Sequence, residues 1–181
     1  KKQFIIGSRG SKLSLAYSNH VKNLLVKYNS QFDEDSIEIK IIKTSGDIFV
    51  NKKISDIGGK GVFCKQIEEE LLDSKIDLAV HSLKDLPTQM TKGLCVEAVV
   101  KRNDPRDAFI SNSNKSFFEL KPQSKIGTSS FRRHAQISLL RNDIKIVAMR
   151  GNIDTRINKL KNKEFDAIVL SLAGIQMLNL G

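Results

Sequence analysis

Apolar positions fall into two sets of matching runs, and the match predicts two similar units. In the first, Ile6, Gly7, Ser8, Arg9, Gly10 and Ser11 lead into helical spacing through Ala16, Val21 and Leu24; in the second, Ile126, Gly127, Thr128, Ser129 and Ser130 lead into helical spacing through Ala135, Leu139 and Leu140. Each reads as strand, tight loop, helix. A second apolar strand follows in each, at residues 37–43 before Thr44, Ser45 and Gly46, and at residues 144–149 before Arg150, Gly151 and Asn152. The third pair is residues 77–83 and 166–172, near-continuous apolar runs of the kind that buried parallel strands carry.

Between the second and third strands, helical spacing recurs in Phe63, Ile67, Glu70 and Leu71, and again in Ile153, Ile157 and Leu160. It supplies the crossover that parallel strands require. The expected fold class is therefore α/β, with two βαβαβ domains. The polar stretch from Lys101 to Asp107 falls between them, and Pro105 disfavours a helix there, so the boundary is placed near it, giving domains at 1–101 and 102–181. In open α/β sheets ligands lie beyond the carboxyl ends of the strands. Two such domains would be expected to face each other across a cleft, with the residues just after each strand as the place for chemistry.

Four loops qualify. At the glycine loops, Arg9 and Ser11, then Thr128, Ser129, Ser130, Arg132 and Arg133, set hydroxyls and guanidiniums at helix starts, which suits a carboxylate or phosphate. Helix capping by the same hydroxyls is the plainer reading for either loop alone, whereas two echoing loops with arginines favour the anion site. Arg150, Gly151 and Arg156 place two arginines about a helical turn apart after the second strand, and a surface pairing of Arg156 with Asp154 or Glu164 is an equal alternative. Gly58, Gly59, Lys60 and Gly61 fail as a Walker loop, because Ile54 stands where glycine is needed and Gly61 follows the lysine. A glycine-rich lid carrying Lys60 over an anion fits better. Finally Ser82, Lys84 and Asp85 follow a buried strand, and the adjacent opposite charges suit proton or cation chemistry, although a local ion pair is the simpler reading; His81, within the strand, reads as a hydrogen-bonded core residue rather than a catalyst.

Charge and composition narrow the partners. The formal net charge is +10, which favours anionic ligands. The lysines are spread over the whole chain, aromatic residues are few and no base-reading motif is present, so nucleic acid is not expected to be the partner. No run approaches the roughly 20 apolar residues of a membrane span, and the first residues run straight into a strand, so no membrane association and a cytoplasmic location are expected. Cys64 and Cys95 form no CxxC; neither a metal site nor a disulfide is expected, and both are read as thiols packed like small apolar residues.

Five ordered stretches, GGKG at 58–61, HSLKD at 81–85, NDPRDAF at 103–109, GTSSFRR at 127–133 and RGNIDTR at 150–156, resemble the hydroxymethylbilane synthase (porphobilinogen deaminase) family over essentially the entire chain. The resemblance implies a monomeric three-domain transferase whose first two domains are similar to type II periplasmic binding proteins. It also implies a third domain, absent from this chain, that carries a covalent dipyrromethane cofactor on a cysteine, and a later segment that returns to complete domain 1. Neither Cys64 nor Cys95 matches that cysteine.

By the same resemblance Asp85 is the catalytic carboxylate, Ser82, Lys84, Thr128, Ser129, Arg132, Arg133, Arg150 and Gly151 hold the cofactor, Arg9, Ser11 and Arg156 hold the substrate porphobilinogen, and Lys60 lies on the lid. The expected activity is the joining of four porphobilinogens into linear hydroxymethylbilane, with this chain alone inactive. The family's carboxylate-binding arginine after residues 173–175 is replaced here by Gln176 and Met177. A two-lobed small-anion binding module without catalysis is the rival.

Overall fold

The computed structural model describes residues 3–45 and 64–180, so the glycine-rich stretch with Lys60 lies outside the described residues. The chain divides into two compact units, Lys1–Lys101 and Arg102–Gly181.

The first unit runs β1 (Phe4–Ser8), α1 (Lys12–Tyr28), β2 (Ile37–Ile41), α2 (Lys65–Leu72) and β3 (Leu78–Ala79). Its sheet has the order β2-β1-β3 with every pairing parallel, Phe4 opposite Ile37 and Ile6 opposite Leu78. The central strand is the most buried, and Ile6 is fully buried on it. Ile42, Ile67 and Ile76 form the core beside Ile5, Leu71 and Ala79. Gly7 permits this packing, since a Cβ there would overlap Ile76 Cδ1. The third strand is shorter than the apolar run predicts: pairing stops at Ala79, and Leu83–Asp85 form a single 3-10 turn.

The second unit runs β4 (Asp107–Ser111), β5 (Lys125–Gly127), α3 (Phe131–Leu140), β6 (Lys145–Val147), α4 (Ile153–Lys161), β7 (Ala167–Ser171) and α5 (Leu172–Met177). The order is β4-β7-β5-β6. β5, β6 and β7 repeat the parallel arrangement of the first unit, as the paired sequence runs predict. β4 is new: it pairs antiparallel with β7 along Asp107 to Ser111, in a place the sequence suggested was only a connection.

Alternation along β7 builds two cores. Ala167 and Val169 face Ile126 and Ile137 on one side, while Ile168 and Leu170 face Met149, Leu160 and Ile175 on the other. Helix α3 therefore covers one face of the sheet and α4 and α5 the other, which is why the strand has no polar position from Ala167 to Leu170.

One cysteine departs from expectation. Cys64 is buried, but Cys95 is exposed and its thiol donates to a Glu97 carboxylate oxygen at 2.7 Å. Residues 94–100 form no helix or strand, so the apolar surroundings that would bury Cys95 do not assemble, and Val96, Val99 and Val100 are exposed with it.

Candidate functional site

In the first unit the loop after β1 divides its work. Ser8 is fully buried, and Ser11 is the N-cap of α1, its hydroxyl accepting from the Ser14 N–H and donating to the Ser14 hydroxyl. Capping, the plainer of the two sequence readings, thus accounts for Ser11, and Arg9 is the member of the loop whose charge reaches further.

After β3, Ser82 starts the 3-10 turn and its carbonyl accepts from the Asp85 N–H at 2.9 Å. Lys84 and Asp85 are exposed, and among the described residues they do not pair with each other. The turn is fastened from behind: the buried Cys64 thiol donates to the Asp85 carbonyl at 3.2 Å, and the same sulfur lies 3.8 Å from His81 Nδ1.

Electrostatics tie this group together. Burial pushes the Cys64 thiol up to about 11, with Glu68 and Asp85 adding to the rise and Arg9 opposing it. Burial lowers the His81 imidazole, against the pull of Asp85 and Glu68 and with help from Arg9. Arg9 and Asp85, 76 positions apart in sequence by their numbers, therefore act on the same thiol and imidazole. Glu68 and Cys64 were missed by the sequence reading. Their one signal was spacing: Cys64, the N-cap of α2, and Glu68 in its first turn stand four residues apart.

In the second unit the hydroxyls are again structural first. The Thr128 side chain, almost fully buried, accepts from the Ser130 N–H, and Ser130 caps α3. Ser129 donates to the Met149 carbonyl at 2.8 Å and accepts from the Met149 N–H at 3.0 Å, so one side chain clamps the loop after β5 to the loop after β6. That clamp brings the start of α3, with Arg132 and Arg133, and the Arg150–Gly151 loop together. Gly151 has φ of +113°, and a Cβ there would come within 2.7 Å of Thr155, so glycine is required.

The arginines are held with little freedom. Arg133 donates through Nε and Nη2 to Asp107 Oδ1, at 3.0 and 2.7 Å, and through Nη1 to the Val169 carbonyl. Arg132 meets the other oxygen, Asp107 Oδ2, at 2.8 Å. Burial works to raise the Asp107 carboxyl, but hydrogen bonds from Arg133 and then Arg132 outweigh it and hold the group below its ordinary value. Asp107 was overlooked as a site residue, though it stands inside the NDPRDAF stretch.

Arg156 donates through Nε to the Gly151 carbonyl at 2.7 Å rather than pairing with Glu164. Burial and the neighbouring Arg133 charge both lower its guanidinium. Two arginines thus stand close enough to repel, steadied by backbone carbonyls. Arg150 is half-buried just before Gly151. Among the described residues no helix is long and apolar enough to cross a membrane, and no group of three His, Cys, Asp or Glu could hold a metal ion.

Basic and hydroxyl side chains gathered just after the strands of two three-strand parallel cores define an α/β protein of the ligand-holding class, its polar residues at the carboxyl ends of its strands. Residues 4–181 match the family profile described as "Porphobilinogen deaminase, dipyromethane cofactor binding domain", and the chain belongs to that family. It is 48% identical over 175 residues to a porphobilinogen deaminase of Syntrophomonas wolfei, covering 97% of this chain and 56% of the relative. It is 51% identical over 174 residues to a porphobilinogen deaminase of Ehrlichia chaffeensis, covering 96% of this chain and 57% of the relative. The chain thus spans a little over half the length of the curated relatives it matches. Among solved structures, a putative L-cystine ABC transporter from Listeria monocytogenes overlays with a TM-score of 0.41 at 15% identity, covering 99% of this chain and 73% of that chain.

Proposed function

We propose that the gene product carrying this chain is a hydroxymethylbilane synthase, which joins four porphobilinogen molecules into a linear tetrapyrrole. The observation that carries the reading is Asp85: an exposed carboxylate on a turn pinned by the buried Cys64 thiol, with no ion pair among the described residues to neutralise it. Loss of ammonia from porphobilinogen leaves positive charge on the pyrrole. A fixed carboxylate accepting from the pyrrole N–H stabilises that charge as it develops. Proton transfer by the same group would contribute about 10²–10⁴-fold.

The residues of the second unit fit a dipyrromethane bearing carboxylates. The Arg133 charge disfavours the Arg156 guanidinium, and an anion bound beside the two would relieve that repulsion. Arg132, Arg133 and Arg150 would hold its carboxylates, with Thr128, Ser129 and Gly151 shaping the loops that present them. When bound, the dipyrromethane supplies the free pyrrole carbon onto which the chain is built. Arg9, Ser11 and Arg156 would orient the incoming substrate, Ser82 and Lys84 would assist beside Asp85, and Lys60 would cover the ligand. Each charged hydrogen bond contributes roughly 1.5–3 kcal/mol, so a few retain a polycarboxylate through repeated additions.

The exposed valines at 96, 99 and 100, β-prone and without strand partners, support the reading that further chain completes the first unit. On this reading the whole protein is cytoplasmic and monomeric, uses no metal, nucleic acid or membrane, and residues 1–181 alone carry no covalent cofactor and do not turn over.

The test is to supply the gene product with porphobilinogen and follow uroporphyrin absorbance after oxidation. An enzyme consumes the substrate and yields the absorbance; a small-anion binding module does neither. Asp85→Ala should lower turnover at least 10²-fold with the fold intact by circular dichroism, and unchanged turnover removes Asp85 from the mechanism.

A further inference from the structure

Behind Asp85 lies a group that the proposed chemistry leaves unused. A thiol carries one proton, and the 3.2 Å approach of Cys64 Sγ to the Asp85 carbonyl commits that proton to the carbonyl oxygen. The sulfur is then only an acceptor toward His81, whose Nδ1 lies 3.8 Å away. It follows that Nδ1 carries the imidazole proton and Nε2 is the bare nitrogen. Nε2 is buried without a hydrogen-bond partner among the described residues, and so is Glu68 Oε1, while Glu68 Oε2 accepts from the Thr91 hydroxyl at 2.8 Å. A second cation beside Arg9 would be unfavourable in such a place, and burial keeps the ring neutral.

The order of contacts is therefore His81 ring, Cys64 sulfur, Asp85 backbone. His81 closes one side of the sulfur, so that the thiol proton has a single direction. Without the ring the S–H rotor would be freer to turn, which would weaken the side-chain hydrogen bond that Cys64 gives the turn over Leu83–Asp85. The carboxylate of Asp85 is exposed and has no side-chain ion pair or hydrogen bond among the described residues, so within them its direction depends on the backbone of that turn.

We propose that His81 is a positioning residue for Asp85, acting through the Cys64 thiol to fix the turn that presents the carboxylate; this rests on the reading that Asp85 meets the substrate pyrroles. Misplacement of a reacting group by about 1 Å costs up to about 10²-fold in rate. Loss of one hydrogen bond in a turn that keeps its Ser82 contact is a smaller displacement, and about 10-fold is expected.

Two measurements on the gene product test the arrangement without any turnover. Long-range ¹H–¹⁵N spectra should place the His81 proton on Nδ1, and a proton on Nε2 overturns the proposal. His81→Ala and Cys64→Ala should each shift the Asp85 and Leu86 amide resonances and speed exchange of the Asp85 amide, with the rest of the spectrum unchanged, whereas Cys64→Ser, which keeps a donor, should restore them. Unmoved Asp85 and Leu86 amides in His81→Ala sink the idea.

In the gene product, His81→Ala and Cys64→Ala should lower kcat about 10-fold with KM changed less than about 3-fold, and Cys64→Ser should recover most of kcat. A raised KM at unchanged kcat counts against positioning. Absence of turnover in the unaltered protein defeats the functional reading instead, and the two spectroscopic results still decide the role of His81.

Discussion

Removing the charge of Asp107 while keeping its shape, as in Asp107→Asn, tests whether one carboxylate organises the arginines of the second unit. Arg133 is 14% exposed and gives Asp107 two hydrogen bonds, Asp107 itself is 24% exposed, and Arg132 is 58% exposed. An exposed pair contributes only about 0.2–1 kcal/mol, so Arg132 adds little. A charge-assisted hydrogen bond with a mostly buried partner contributes roughly 1.5–3 kcal/mol. The asparagine oxygen can still accept one bond, so the net loss expected is about 2 kcal/mol.

The dependence on pH follows from the sign of the shift. Asp107 is held below its ordinary value in the folded state, so its contribution is complete above the unfolded value of about 3.9 and disappears as the pH falls through the depressed folded value. Urea unfolding of both proteins, followed at the Ile168 and Val169 amides so that only the second unit is read, should show the full gap at about pH 7 and about pH 5. The gap should shrink below about pH 4. For a unit of this size, about 2 kcal/mol corresponds to roughly 10 °C in Tm. A gap under about 0.5 kcal/mol at neutral pH, or one that persists unchanged at the acid end, would refute the reasoning.

Two further outcomes are expected. Gly151→Ala should destabilise the second unit by about 1–3 kcal/mol, because φ of +113° strains an alanine and its Cβ meets Thr155, and urea unfolding measures it. In the native chain a disulfide reagent should label Cys95 first and Cys64 only on unfolding, read by peptide mass; equal rates would contradict the burial of Cys64.

Much of the scaffold was legible because parallel strands buried on both faces leave a strong local trace. Residues 167–170 read as one apolar run, and that run is what lets β7 feed two cores at once. The same rule misled at β3, where Val80 and His81 continue the apolar pattern beyond the pairing. β4 escaped notice because it is short, follows a proline and a cluster of charges, and acquires its identity only by meeting β7, some sixty residues later by the numbering. Its alternation is plain in hindsight, with Phe109 on one face and Ala108 and Ile110 on the other.

The site divides along the same line between local and distant causes. Glycine loops after strands drew attention to Ser11, Thr128, Ser129 and Ser130, but nothing local separates a hydroxyl that binds a ligand from one that caps a helix or clamps a neighbouring loop, and here the bonds seen are structural ones. Asp107 reaches Arg133 across 26 positions, and Cys64 reaches Asp85 across 21; neither separation matches a helical or strand period, so no periodicity could reveal the pairing. These distant pairs give the local motifs their direction. An arginine after a strand becomes a fixed donor only when a carboxylate from another strand holds its far side, and a carboxylate on a surface turn becomes a fixed acceptor only when a buried thiol holds its backbone. The chemistry proposed for this family therefore depends on residues that no motif-level reading would rank, and Asp107 and Cys64 are where substitution should separate binding from mere charge.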